Sequence, residues 1–189
     1  FMGQTEAPLV VKPFTPAVWE ARDLIKIADD QGLYGAVEFH KRFDETNLLL
    51  RQAIDAGRLG ELRYITVEYS QRRMMQQVFD SWVADTNIFQ YLGVHYVDLI
   101  YFLTGARPLR VVATGQPQSG PSSELPGGDS IQTLIEWEEQ SSGNRFVSSI
   151  STNWIDPDIT SAMSDQKIKF VVDNGDLDPI NNNRFYYFI

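Results

Sequence analysis

The sequence predicts an α+β fold: a mostly antiparallel open sheet with helices on one face, preceded by the last βαβ piece of a missing Rossmann-type domain. Three observations carry this expectation. An apolar run, a helical stretch and a second apolar run follow one another within residues 9–39, the pattern of a crossover between parallel strands. Helical periodicity is confined to three segments, the last ending near residue 104. Beyond it, four segments of strand composition are separated by turn residues, and helices segregated from strands make an α+β domain.

Leu9-Val10-Val11 reads as a short buried strand. Thr15-Pro16 opens a helix, with Thr15 as N-cap and Pro16 first in the helix, where its missing N–H does no harm. Ala17, Ala21, Leu24, Ile25 and Ala28 follow at helical spacing, and Gly32 stops the helix. Leu33 to Phe39 is the second strand. Two parallel strands cannot be covered on both faces by themselves, so this piece is expected to finish a larger doubly wound domain. The opening Phe1-Met2-Gly3-Gln4, with Met not first, agrees with a chain that is part of a longer product.

A second helix is expected from Asp44 to Ala56, with Leu49, Leu50, Ala53 and Ile54 as its apolar stripe and Gly57 and Gly60 closing it. Arg63 to Gln71 alternates, with Ile65, Val67 and Tyr69 on one face, as a half-buried strand does. Met74 to Ala84 shows no assignable pattern. The third helix runs from Asn87 to Thr104, places Ile88, Leu92, His95, Leu99 and Phe102 on one face, and ends at Gly105 and Pro108. Residues 109–114, 131–137, 145–152 and 167–172 are strands, and Asn174-Gly175 is a hairpin signal. Residues 116–130, with three Pro, three Gly and four Ser, form an exposed loop, and Phe185 to Ile189 is a last strand or a tail.

The chain has 189 residues, 43% of them hydrophobic, no cysteine and a net charge of −9. That length can bury a core without staples, and zero Cys excludes a disulfide scaffold, a thiolate metal site and cysteine nucleophiles. The acidic balance argues against nucleic acid. No apolar run approaches the ~20 residues of a membrane span. The expectation is a soluble, cytoplasmic protein whose partner is a small molecule. Neither G-x-G-x-x-G nor G-x-x-x-x-G-K-[ST] occurs, nor H-E-x-x-H, nor G-x-S-x-G, so no phosphate cradle, metal site or nucleophile elbow is expected.

Four places could carry chemistry. Lys12-Pro13 ends the first strand, where open parallel sheets bind ligands; a surface lysine is the alternative. His95 lies on an apolar helix stripe with Tyr91 four residues before it and Asp98 three after, so the three can share a face. An imidazole can take the proton when an alcohol becomes a ketone; a core histidine is the alternative. Glu38-Phe39-His40-Lys41-Arg42-Phe43-Asp44 is either a solvated loop with Asp44 as an N-cap or a place where Lys41 or Arg42 reaches an anionic or hydroxylated ligand. Trp154, near a strand end, either stacks on a sugar ring or fills the core.

Val11-Lys12-Pro13, residues 37–44, Gly57-Arg58-Leu59-Gly60-Glu61-Leu62, and Leu92 to Leu99 followed by Leu103-Thr104-Gly105 and Pro108 together resemble the glucose–fructose oxidoreductase/inositol dehydrogenase (Gfo/Idh/MocA) family in order and spacing over residues 9–115. The resemblance implies that residues 1–43 are a remnant of an N-terminal dinucleotide-binding domain. Residues 44–189 would then be a C-terminal substrate-binding and oligomerisation domain. It implies hydride transfer between NAD or NADP, bound mainly by the missing domain, and a sugar, polyol or related hydroxylated substrate, in a homo-oligomer built through the open sheet. Lys12 matches the family's lysine that contacts substrate and nicotinamide, with Pro13 beside it, and His95 matches its general acid/base. Tyr91, Arg42, His40 and Trp154 are the expected substrate contacts. The chain departs from the family in Val11, where it has glutamate, and in Tyr91, where it often has aspartate. Tyr91 leaves room for a non-catalytic ligand-binding or scaffold protein on the same fold, and an unrelated complete α+β binding domain is the further alternative.

Overall fold

The structure is a computed structural model that describes residues 8–79, 83–116, 128–159 and 161–177. The chain divides into two units, one ending at His40 and the other starting at Lys41.

The first unit contains β1 (Leu9–Val11), α1 (Val18–Gln31) and β2 (Ala36–Glu38). The strands pair in parallel, Leu9 opposite Ala36, which is the expected crossover. Three expectations are corrected. The N-cap is Ala17 rather than Thr15; Glu20 Oε2 accepts from the Ala17 amide at 3.3 Å, while the Thr15 hydroxyl donates to the Ala17 carbonyl. The second strand is three residues long rather than seven. Leu9 and Val11 are exposed and α1 has no buried residue, because one helix and two three-residue strands cannot enclose a core. Gly32 stops α1 in the left-handed conformation, as expected.

The second unit is a sheet covered by helices. α2 (Glu45–Asp55) leads into β3 (Leu62–Arg72), and the short α3 (Met75–Val78) and a π-helical segment, Phe89–Gly93, precede α4 (Val94–Thr104). β4 (Ala106–Gln116), β5 (Ser130–Glu139), β6 (Arg145–Asp156), β7 (Ser164–Val172) and β8 (Gly175–Leu177) follow. The order is β4-β5-β6-β3-β7-β8, antiparallel throughout except that β3 and β6 run parallel. Alternation decides the faces. Ile65, Val67, Ile135, Trp137, Ile150, Ile168 and Phe170 join Leu99, Ile100 and Leu103 of α4 in one core. Tyr64, Val112 and Leu134 are exposed.

Other local expectations shift for identifiable reasons. In α2 the buried side chains are Asn47, Leu50 and Ala53, and Leu49 is exposed; the Asn47 amide is bonded inward to the Lys41 carbonyl at 2.8 Å. Asp44 is the N-cap of α2, but its side chain makes no capping bond. Pro108 does not precede β4 but lies within it, at a bulge between Pro108 and Arg110; a proline is tolerated on an edge strand because the missing N–H faces outward. The hairpin loop is Asp173-Asn174 rather than Asn174-Gly175, since Val172 pairs with Gly175. Met74 to Ala84 holds α3 and a 3-10 turn at Val83–Asp85. The tail at 185–189 and most of the 116–130 loop lie outside the described residues.

Gly60 shows why one glycine is required. Its φ is +75°, and a Cβ there would stand 2.8 Å from Asp173 Cβ. Asp173 in turn accepts from Arg63 Nε at 2.6 Å and from the Glu61 amide at 3.1 Å. Gly60→Ala is expected to lower stability by about 1–3 kcal/mol. Gly105→Ala, at φ +64° with nothing among the described residues within 4 Å of its Cβ position, should cost only the backbone strain of roughly 1–2 kcal/mol. Urea unfolding of both variants checks this, and an equal loss would remove the Asp173 clash as a cause.

Candidate functional site

At one end of the sheet the helix-facing side changes from apolar to polar. β3 continues its alternation past Ile65 and Val67 to Tyr69 and Gln71, which remain buried. β7 runs antiparallel alongside and sets Gln166 opposite Tyr69 and Ser164 opposite Gln71. β6 runs parallel on the other side, pairing Ser70 with Asn153 and Arg72 with Asp156, so Trp154 adjoins Gln71. Over this layer lie Tyr91 from the π-helical segment, His95 and Tyr96 from the first turn of α4, and Lys41 from the 3-10 turn His40–Phe43. Gly93 lets the helix enter tightly: a Cβ there would stand 2.5 Å from Phe89 Cδ2.

His95 is buried, at 2% exposure, with its ring centroid 6.3 Å from that of Tyr69. The Tyr96 ring meets Tyr69 edge-on at 5.7 Å, and its hydroxyl donates to Gln166 Oε1 at 3.1 Å. Lys41 Nζ donates to the same oxygen and sits 5.0 Å from the centroid of Tyr96 and 5.6 Å from that of Tyr69. Burial pushes the Tyr69 phenol up to about 12, with Tyr91 adding to the effect and a hydrogen bond to Ser164 opposing it. Burial also raises Tyr96 and Tyr91, the latter opposed by a hydrogen bond to Gln71. All three phenols stay protonated near neutral pH and serve as hydrogen-bonding groups, not bases.

Burial lowers the Lys41 ammonium from its usual value, and Asp44 only partly offsets this. Between that lowered value and the unfolded one, the unfolded chain binds more protons. Stability therefore rises with pH across this window, and the full desolvation penalty is present below it. Lys41→Met is expected to flatten the alkaline rise, as urea midpoints at a series of pH values would show. A variant with an undiminished rise would assign it to another group.

The expected substrate residues are distributed unevenly. Arg42 is committed to Asp98: its Nε donates to Oδ2 at 2.7 Å and its Nη2 to Oδ1, with the guanidinium 5.4 Å from the Phe102 centroid. The cation beside the tyrosines is thus Lys41, and Asp98 faces Arg42. Trp154 lies in β6, two residues from its end, is fully buried, and stacks on Tyr91 at 6.3 Å and 27°. Tyr91 and His95 share the layer. His40 is exposed at the start of the 3-10 turn. Lys12 and Pro13, joined by a cis peptide, follow β1 in the first unit. Tyr69, Gln71, Tyr96 and Gln166 were not among the sequence candidates; carrying the alternation of β3 to its end would have found the first two. Among the described residues no three His, Asp or Glu side chains group as a metal site requires.

Comparison with known proteins places these features in a family. The model of the GFO/IDH/MocA C-terminal domain matches residues 48–177, more than half of the chain. The chain is 34% identical over 97 residues to the Uncharacterized oxidoreductase YhhX of Escherichia coli (strain K12), covering 51% of this chain and 28% of that protein. It is 31% identical over 103 residues to the Inositol 2-dehydrogenase of Rhizobium meliloti (strain 1021), covering 54% of this chain and 31% of the relative. Among solved structures it shares the fold of an inositol dehydrogenase homolog from Azotobacter vinelandii complexed with NADH and myo-inositol. That likeness has a TM-score of 0.74 and 21% identity, over 90% of this chain and 43% of the other. A scyllo-inositol dehydrogenase from Lactobacillus casei with bound NAD(H) and scyllo-inositol gives a TM-score of 0.72 at 16% identity, over 93% and 51%. The chain thus spans about half the length of these structures and under a third of the two relatives.

Proposed function

This chain belongs to the GFO/IDH/MocA family through its C-terminal domain, and from that premise we propose that it is the substrate-binding part of an NAD- or NADP-dependent oxidoreductase. The reaction is hydride transfer between the nicotinamide and the hydroxyl-bearing carbon of a sugar, polyol or related compound. Residues 1–43 are then the end of the dinucleotide-binding domain and residues 44–189 the C-terminal domain. The single observation behind this reading is a polar layer in which Tyr69, His95 and Tyr96 are buried and Lys41, Tyr91 and Gln166 half-buried. Polar groups are expensive to bury, so three buried and three half-buried ones at one sheet end, in a family of oxidoreductases, are best explained by a hydroxylated ligand.

Those hydroxyls, amide and ammonium suit a polyhydroxylated molecule. They offer no glycine-rich turn for a pyrophosphate, so the dinucleotide is assigned mainly to the N-terminal domain, with Lys12 and Pro13 at its border. When bound, the nicotinamide supplies the hydride acceptor. His95 takes the proton that the substrate hydroxyl releases as its carbon loses hydride, and returns it in the reverse direction. Lys12 is assigned to substrate and nicotinamide through the family resemblance alone. Lys41 steadies developing negative charge on oxygen, and Arg42 positions α4 through Asp98. His40 is an outer contact. The same reading includes a cytoplasmic location and a homo-oligomer formed over the exposed sheet face around Tyr64, Val112 and Leu134, which light scattering would detect. Among the described residues no helix is long and apolar enough to cross a membrane.

The test is nicotinamide reduction by the full-length protein with inositols, hexoses and linear polyols, each with NAD and NADP. Turnover with at least one substrate is expected, and none from residues 1–189 alone. One observation favours a second reading. Tyr91 stacks on Trp154 at the position where the family often has aspartate, so a phenol stands there instead of a carboxylate. Ligand binding without any nicotinamide reduction would establish a non-catalytic binding protein.

A further inference from the structure

We infer that Gln71 and Trp154 form a buried subsite for one hydroxyl group, which holds a polyhydroxylated substrate at a point away from its reacting carbon. This inference rests on the proposed oxidoreductase reading only for the class of substrate. Trp154 is fully buried and Gln71 is 5% exposed, yet among the described residues Trp154 Nε1 and Gln71 Oε1 have no hydrogen-bond partner. Between the pairs Ser70–Asn153 and Arg72–Asp156 the register shifts, so that Gln71 faces Trp154 and Ile155, of which Trp154 is the one on the buried face. Tyr91 holds both: its ring stacks on the indole and its phenol is hydrogen-bonded to the Gln71 side chain. The two orphaned groups are therefore fixed in orientation.

Their chemistry selects the ligand. An indole N–H only donates, and an amide oxygen only accepts. A hydroxyl satisfies both through one atom, its oxygen accepting from Nε1–H and its proton going to Oε1. A carboxylate has no proton to give, an ammonium has no lone pair, and a methyl group leaves both orphans unsatisfied. Gln71 lies two residues beyond Tyr69, whose ring adjoins His95, so the subsite belongs to the same polar layer as the proposed acid/base. A site built to bond a hydroxyl discriminates against the deoxy analogue, because the analogue leaves these buried groups unpaired.

The test uses the full-length protein with nitrogen-15-labelled tryptophan. The Trp154 indole signal, assigned through Trp154→Phe, is followed by NMR while calorimetry measures binding of myo-inositol, scyllo-inositol and glucose. Binding of a panel member is expected to move that signal. Gln71→Leu should weaken the same binding about tenfold, the worth of one hydrogen bond to a buried neutral group, and should erase the preference over the matching monodeoxy compound. Should Trp154→Phe fail to fold, Gln71→Leu decides by calorimetry: unchanged affinity and an unchanged preference over the monodeoxy compound overturn the subsite. Binding with the Trp154 signal unmoved, or no binding by any panel member, overturns the subsite. A moving signal without nicotinamide reduction leaves the subsite standing and removes the oxidoreductase reading; turnover with an unmoved signal does the reverse.

Discussion

Replacing His95 with alanine in the full-length protein is expected to lower turnover by about 10²–10⁴-fold, the range for a lost general acid/base, while KM changes little. His95 lies in the first turn of α4 with 2% exposure, among phenols that burial keeps protonated. Those phenols cannot accept a proton near neutral pH, and Lys41 is the other proton-exchanging group of the layer. An imidazole is the side chain whose ordinary titration range fits the task. The loss should appear in kcat, because proton transfer belongs to the transition state and not to ground-state binding. The pH profile of kcat/KM should also lose its acidic limb in the direction of alcohol oxidation. A buried ring leaves a hole when removed, so the melting temperature must be measured beside the kinetics. His95→Gln, which better fills the space but cannot carry the proton, should share the kinetic loss. Turnover within a few fold of wild type in a folded His95→Ala protein would leave His95 as a core residue.

Trp137→Ala is expected to cost about 3–5 kcal/mol of stability, the usual range for truncating a large buried aromatic. Trp137 is 1% exposed, stacks on Phe146 at 6.1 Å and 8°, and donates from Nε1 to the buried Ser148 hydroxyl at 2.8 Å. Truncation removes the packing and also orphans Ser148, which is fully buried. Since whole domains have only about 5–15 kcal/mol in hand, this single change approaches the threshold for unfolding. Trp137→Phe retains most of the packing and should lose less, mainly the Ser148 bond. Urea unfolding of the two variants separates these contributions. A loss under about 1 kcal/mol for the alanine variant would mean that β5 and β6 do not form the packed core described here.

Local features were legible because they act over a few residues. Gly32 and Gly105 stop their helices as expected. The alternation of Arg63 to Gln71 correctly assigns Ile65, Val67 and Tyr69 to the buried face. Thr15 misled because a Thr-Pro pair suits an N-terminus wherever it falls, while the actual start was decided two residues later by Glu20 reaching the Ala17 amide. Leu49 misled for a comparable reason: periodicity offered it to the core, but a bond from Asn47 to the Lys41 carbonyl turned the helix otherwise.

The candidate site divides along the same line. The sequence by itself was enough to determine the α+β class, the strand alternation, the helix stops and the family resemblance, and it singled out His95 and Tyr91. Which cation faces the tyrosines was a tertiary decision. Lys41 and Arg42 are neighbours in sequence, yet Asp98 holds one through a contact 56 residues away and Gln166 holds the other through one 125 residues away. The parallel register of β3 and β6, which sets Gln71 beside Trp154, is equally invisible to local pattern. Periodicity reports which face of an element avoids water; it carries no information on which element covers that face, and that choice depends on the packing of the whole unit.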